Sequence, residues 1–146
     1  MLAAADLEVR RNNYPEAFRV YAQAYKIYPD YRPVVFSYTK TLLQAGRPNE
    51  AKKLLYKYSK YHEADLTYYN YLTRAEAESG NIIESRIANA GHFYLSGETR
   101  IAIEQLKYML RQHKPRPNYY QEERIRARLA FFEQELQIER DLKLAR

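Results

Sequence analysis

The chain has 146 residues, enough for one domain with a substantial core. No stretch approaches the roughly 20 apolar residues of a membrane-crossing helix, and the absence of cysteine excludes disulfides and thiolate chemistry. A formal charge of +6 favours acidic partners only mildly, and 16 tyrosines give much of the apolar surface a hydroxyl, as suits helices dry on one face and wet on the other.

The start, LAAADLEVRR, carries no signal-peptide pattern and reads as the middle of a helix, so the sequence is expected to be one domain of a longer protein. Residues 2–11 form the first helix. Asn13, with Glu16 three residues on, has the spacing of a capping box that opens a second helix through Tyr28, and Pro29-Asp30 stops it. Residues 33–45 form a third helix, with Val35, Tyr38, Leu42 and Ala45 at three- and four-residue steps. Gly46 ends it, because a residue tolerant of positive φ suits the position just past a helix. Pro48 fits the first turn of a fourth helix over 48–61, with Ala51, Leu54, Leu55 and Tyr58 on one face. Residues 65–79 form a fifth, turning Tyr68, Tyr69, Leu72 and Ala75 inward. Gly80 closes it, and Asn81 with Glu84 repeats the capping-box spacing before a sixth helix at 82–96. A seventh, 99–113, carries Ile101, Ala102, Leu106, Met109 and Leu110. Two prolines in Lys114–Asn118 exclude continuous helix there. The last helix, 119–146, is highly charged apart from a narrow stripe of Ile125, Leu129, Phe132 and Leu136.

These helices keep time. Ala17, Ala51 and Ser85 are spaced by 34 residues, each preceded by Glu (Glu16, Glu50, Glu84). Gly46 and Gly80 share that spacing, with Asn12 at the earlier position. The beat then halves: Gly97 follows Gly80 by 17 and Ala102 follows Ser85 by 17, so the sixth helix serves two hairpins. With Tyr21, Ala24 and Pro29 at their places in the first unit, the spacing resembles the tetratricopeptide repeat. The second repeat has Glu63 where the family has Pro, and in the third Ser85, Asn89 and His92 replace the usual Ala, aromatic and Ala. The resemblance implies an all-α tetratricopeptide-repeat (TPR) superhelix of about four helix hairpins in a single domain, 1–146. Its repeats are 1–30, 31–63, 64–96 and a half-shifted 82–113, followed by 118–146 as a capping helix whose polar outer face closes the stack.

Nothing in the chain has the form of a catalytic motif. His62, His92 and His113 lie on different helices without ligand spacing, and His62-Glu63 begins like H-E-x-x-H but has Leu66 where the second His belongs. The expectation is a chain without catalytic residues, metal or cofactor. Lys52, Lys53, Lys57 and Lys60, interleaved with Tyr56, Tyr58 and Tyr61, could contact nucleic acid. They are more simply the solvated face of the fourth helix, so no nucleic-acid partner is expected. Stacked hairpins favour a polypeptide partner on the inner face. By repeat register that face carries Phe36, Lys40 and Leu43, then Asn70, Arg74 and Ala77, with Ile87, Gly91 and Tyr94 from the sixth helix. Lys40 and Arg74, 34 residues apart, would hold acidic groups, Asn70 would bond an extended backbone, and Phe36 and Tyr94 would be apolar anchors. The two-carboxylate clamp known in the family does not carry over, because Leu2 and Asp6 stand where Lys and Asn are required.

Three runs narrow the resemblance. Ala88–Gly97 (ANAGHFYLSG), Ala102–Lys107 (AIEQLK) and Tyr119–Leu129 (YYQEERIRARL) resemble the C-terminal TPR domain of periplasmic zinc metallopeptidases of the β-barrel assembly-enhancing type. Their catalytic H-E-x-x-H domain precedes the repeats. The resemblance implies a periplasmic location, with zinc held in the parent's protease domain and none in this chain. It also implies that this domain docks outer-membrane protein substrates or the β-barrel assembly machinery and packs on the protease domain. The alternative is a generic TPR scaffold in another bacterial complex.

Overall fold

The computed structural model describes residues 1–145, which contain eight α-helices and no strand. They are α1 (Leu2–Arg10), α2 (Tyr14–Ile27), α3 (Arg32–Gln44), α4 (Pro48–Ser59), α5 (Leu66–Glu78), α6 (Ile82–Leu95), α7 (Thr99–Arg111) and α8 (Tyr119–Leu144). All eight stand where the hydrophobic periodicity puts them, and the architecture is an all-α tetratricopeptide-type helical repeat. The expected final position of the last helix, Arg146, lies outside the described residues. The helices group into two compact units of four, Met1–Ala64 and the remainder from Asp65, where the sequence reads as one domain. The division falls in the six-residue connection 60–65, longer than the three- and four-residue turns inside the first unit.

The repeat beat is a backbone device. Asn12 (φ 55), Gly46 (φ 75), Gly80 (φ 85) and Gly97 (φ 85) are all left-handed. At Gly46 the amide bonds to the Leu43 carbonyl at 3.1 Å and the Arg47 amide to the Leu42 carbonyl at 2.8 Å. The same pair of bonds recurs at Asn12, Gly80 and Gly97, so one Schellman motif closes all four helix ends. The small residues of the beat mark close helix crossings: Ala17, Ala51 and Ala102 are fully buried. Ser85, also buried, donates its hydroxyl to the Thr73 carbonyl at 2.8 Å, tying α6 to α5.

In the first unit Ala5, Ala17 and Tyr21 form a cluster with Leu2, Val9, Val20 and Tyr38, and Ala51, Leu55 and Tyr58 bury the inner face of α4. In the second, Ile83, Ile87, Leu106, Met109, Ile125 and Phe132 form one core, flanked by Leu129 and Leu136. The apolar stripe of α8 is therefore what docks it. Within α7, Ile101 turns outward and Ile103 takes the core position expected of it, because Ala102, Leu106 and Met109 set the buried face one residue round.

Two expected capping boxes do not form. The Asn13 side chain donates instead to Glu8 at 2.9 Å, and Glu16 is held by Arg19, whose hydrogen bond lowers the Glu16 pKa from its ordinary value. Asn81 makes no side-chain cap bond, since Glu84 is taken by two bonds from Arg124, at 2.6 and 3.0 Å. A capping box stands at the start of α8: the Asn118 side chain accepts from the Gln121 amide at 2.8 Å, and Gln121 accepts from the Asn118 amide at 2.9 Å.

Candidate functional site

Each unit is taken by itself. In the first, α1, α2 and α3 enclose a cleft of about 370 Å³. The tight crossing of α1 on α2 at Ala5 and Ala17 brings Asp6, Val9 and Arg10 to its wall. Tyr21 supplies the floor, and Ser37, Lys40, Thr41 and Gln44 the opposite side. Tyr21 is buried, and its hydroxyl donates to Asp6 Oδ1 at 3.0 Å and receives a long bond from Thr41 Oγ1 at 3.4 Å. The single hydroxyl hydrogen of Thr41 is shared with the Ser37 carbonyl, the nearer acceptor at 2.9 Å, which fixes its rotamer.

The electrostatics of the cleft follow from that arrangement. Burial pushes the Tyr21 hydroxyl above its ordinary pKa; the hydrogen bond from Thr41 opposes the shift, and the Asp6 carboxylate adds to it. Tyr21 is therefore a neutral donor at physiological pH, and Asp6 is oriented by it. Arg10 and Lys40 leave the cleft with two cations against one carboxylate. Such a surface offers hydrogen bonds of both signs to a polypeptide backbone and a net attraction for acidic groups.

The residues expected on the inner face part company here. Lys40 is exposed and lines the cleft. Phe36 and Leu43 are buried. Phe36 packs on Tyr58 of α4 with centroids 5.3 Å apart and lies under the Arg32 guanidinium at 4.5 Å, so its ring belongs to the α3–α4 core. The cause is rotational: α3 is buried along most of its length, and its open strip runs through 37, 40, 41 and 44. Ser37 and Gln44 are one helical step past Phe36 and Leu43, and register alone does not resolve a rotation of that size.

In the second unit Asn70, Arg74 and Ala77 are exposed on α5, and Arg74 Nε bonds Glu78 at 2.8 Å. The expected face of α6 is covered by α8. Tyr94 stacks on Phe132 with centroids 4.6 Å apart and donates to Glu135 at 3.3 Å; burial first, and then Glu135, raises its hydroxyl pKa. Ile87 is buried, and Gly91 lies directly beneath the Tyr69 ring. Arg128 of α8 donates to the Tyr69 hydroxyl at 2.6 Å, its guanidinium 5.7 Å from that ring's centroid. Ile87 and Gly91 are thus interior to the second unit, and Tyr94 is half-buried against α8. Among the described residues no group of three or more His, Asp or Glu is placed to hold a metal ion.

Residues 8–76 match the family model described as tetratricopeptide repeat, a span that includes α2–α4 and the cleft residues Val9 to Gln44. A comparison with curated proteins returns no relative. Repeats of this type are protein-interaction scaffolds.

Proposed function

We propose that the chain is a non-catalytic polypeptide-binding module, with the cleft among α1, α2 and α3 as its binding site. The observation that carries this reading is the polar, cation-flanked recess around the Tyr21–Asp6 pair, set in a scaffold of interaction repeats. An extended segment rich in carboxylates would meet Lys40 and Arg10, while Asp6, Ser37 and Gln44 would bond its backbone. Asn70 and Arg74, on the exposed face of α5, would be a separate contact point belonging to the second unit.

The three runs Ala88–Gly97, Ala102–Lys107 and Tyr119–Leu129 support a specific setting for the module. In it the parent is a periplasmic zinc metalloprotease of the β-barrel assembly-enhancing type. The bound polypeptides are outer-membrane proteins or the machinery that assembles them, and the zinc belongs to the protease domain. The coding sequence upstream of this chain tests the setting: a signal peptide and an H-E-x-x-H segment are expected. Their absence would leave a generic repeat scaffold in another complex.

A further inference from the structure

One end of the first unit carries a group of side chains that the cleft does not use. The C-terminus of α2, the N-terminus of α3 and the C-terminus of α4 come together there: His62 Nε2 lies 3.7 Å from Asp30 Oδ1, and the His62 ring stacks on Tyr58 at 4.2 Å. Tyr61, the residue before His62, lies at the same end of the unit. Around it Ile27, Tyr28, Tyr31 and Tyr61 stand 55%, 56%, 55% and 78% exposed. A single exposed apolar side chain is ordinary, but four at one helical end form a patch. Cations rim it: Lys26 in the last turn of α2, and Lys57 and Lys60 at the end of α4, with Asp30 and Glu63 the opposing charges. Placement at helix C-termini accounts for the lysines through the helix dipole, but not for the projecting rings.

We propose that this end of the first unit is a peripheral docking surface for an anionic lipid bilayer. A tyrosine ring with a free edge and a hydroxyl tip matches the headgroup region, where the ring body sits among acyl carbonyls and the hydroxyl stays hydrated. Ile27 adds apolar contact, and the lysines can lay their stems along apolar surface while their ammonium groups reach phosphates; the Lys57 ammonium already lies 5.6 Å from the Tyr25 ring at this end of the unit. The geometry favours a bilayer over single-stranded nucleic acid. Tyr28 and Tyr31 meet at 63°, edge to face, so they offer no parallel platform for successive bases, and an exposed isoleucine has no role in stacking. No helix of the described residues is long and apolar enough to cross a membrane, so the contact is a surface one. The surface is independent of the cleft and of the function proposed for it.

The test is cosedimentation of the whole chain with vesicles of phosphatidylcholine containing about 30% phosphatidylglycerol, against pure phosphatidylcholine, at low salt. Binding is expected to the anionic vesicles only. Lys57→Gln with Lys60→Gln should weaken it about twentyfold, since each cation near an anionic leaflet is worth roughly fivefold. The triple change Tyr28→Ser, Tyr31→Ser, Tyr61→Ser should abolish it. Tyr61→Ser alone, at the most exposed ring, is expected to weaken binding in a chain whose helicity is unchanged, and it serves if the triple variant unfolds. Three results would overturn the proposal: no binding to either vesicle, binding that none of these changes reduces, or binding to a single-stranded oligonucleotide or an acidic peptide through the same residues with no vesicle binding.

Discussion

Gly91→Ala isolates the contact that seats the Tyr69 ring of α5 on α6, beneath Arg128 of α8. A Cβ at this position would stand 2.7 Å from Tyr69 Cζ and 2.8 Å from Cε1, whereas ordinary contact begins at 3.4 Å. The ring must therefore retreat by about 0.7 Å. It is not free to do so, because its hydroxyl accepts from Arg128 at 2.6 Å and Arg128 also lies over Phe132. Overpacking of this kind costs about 1–3 kcal/mol. Alanine in a helix interior returns about 1 kcal/mol relative to glycine. The net expectation is a loss of about 1 kcal/mol in the native background. With Tyr69→Ala the obstacle is gone, and the same change should stabilise by about 1 kcal/mol, a coupling of about 2 kcal/mol. Urea unfolding of the four variants, followed by helical circular dichroism, reads that cycle. Stabilisation by Gly91→Ala in both backgrounds would refute the packing of Tyr69 on α6.

Gly46→Val should cost about 1–2 kcal/mol through backbone conformation alone, since φ is +75 and nothing lies within 4 Å of the added Cβ. Gly46→Asn should cost less, and equal melting temperatures for the two would contradict the left-handed turn. Asn118→Ala should cost about 1 kcal/mol by breaking the reciprocal cap of α8, while Asn81→Ala, which removes no cap bond, should stay within about 0.5 kcal/mol; thermal melts that rank them the other way would count against the cap assignment. Tyr21, Tyr38 and Tyr94 are all raised above the ordinary tyrosine value of 10.0, chiefly by burial. Above that pH the unfolded chain loses protons that the folded chain keeps, so stability should fall as pH rises further. Tyr21→Phe should flatten that fall in a pH series of urea midpoints, and an unchanged slope would show that Tyr21 titrates normally.

Much of the fold was legible because the repeat rests on residues whose backbone or size is the signal. A left-handed turn needs glycine or asparagine, and a close crossing needs alanine or serine, so Asn12, Gly46, Gly80, Gly97, Ala17 and Ala51 announce themselves locally. The stripe Ile125–Leu136 was legible for the same reason, as a period of one helix. What depended on distant partners was not. Asn13 and Glu84 have capping residue types, but Glu8 and Arg124 compete for their side chains. The Asn118–Gln121 cap carried a readable signal, asparagine followed by glutamine three residues on, beside the proline linker. The candidate site fared worst. Lys40 reaches the cleft, but Phe36 and Leu43 sit about one residue's rotation away, inside the core. Tyr94 faces α8, which returns from 25 or more positions later in the chain. The Tyr21–Asp6 pair joins residues 15 apart on two helices and has no signature in either one.

The reading of the first-unit cleft as a polypeptide site is tested most directly by fluorescence anisotropy of a labelled, unfolded outer-membrane β-barrel protein titrated with the chain. Saturable binding is predicted, weakened about tenfold or more by Lys40→Ala combined with Arg10→Ala in a chain of unchanged helicity. Affinity that ignores both substitutions would contradict it.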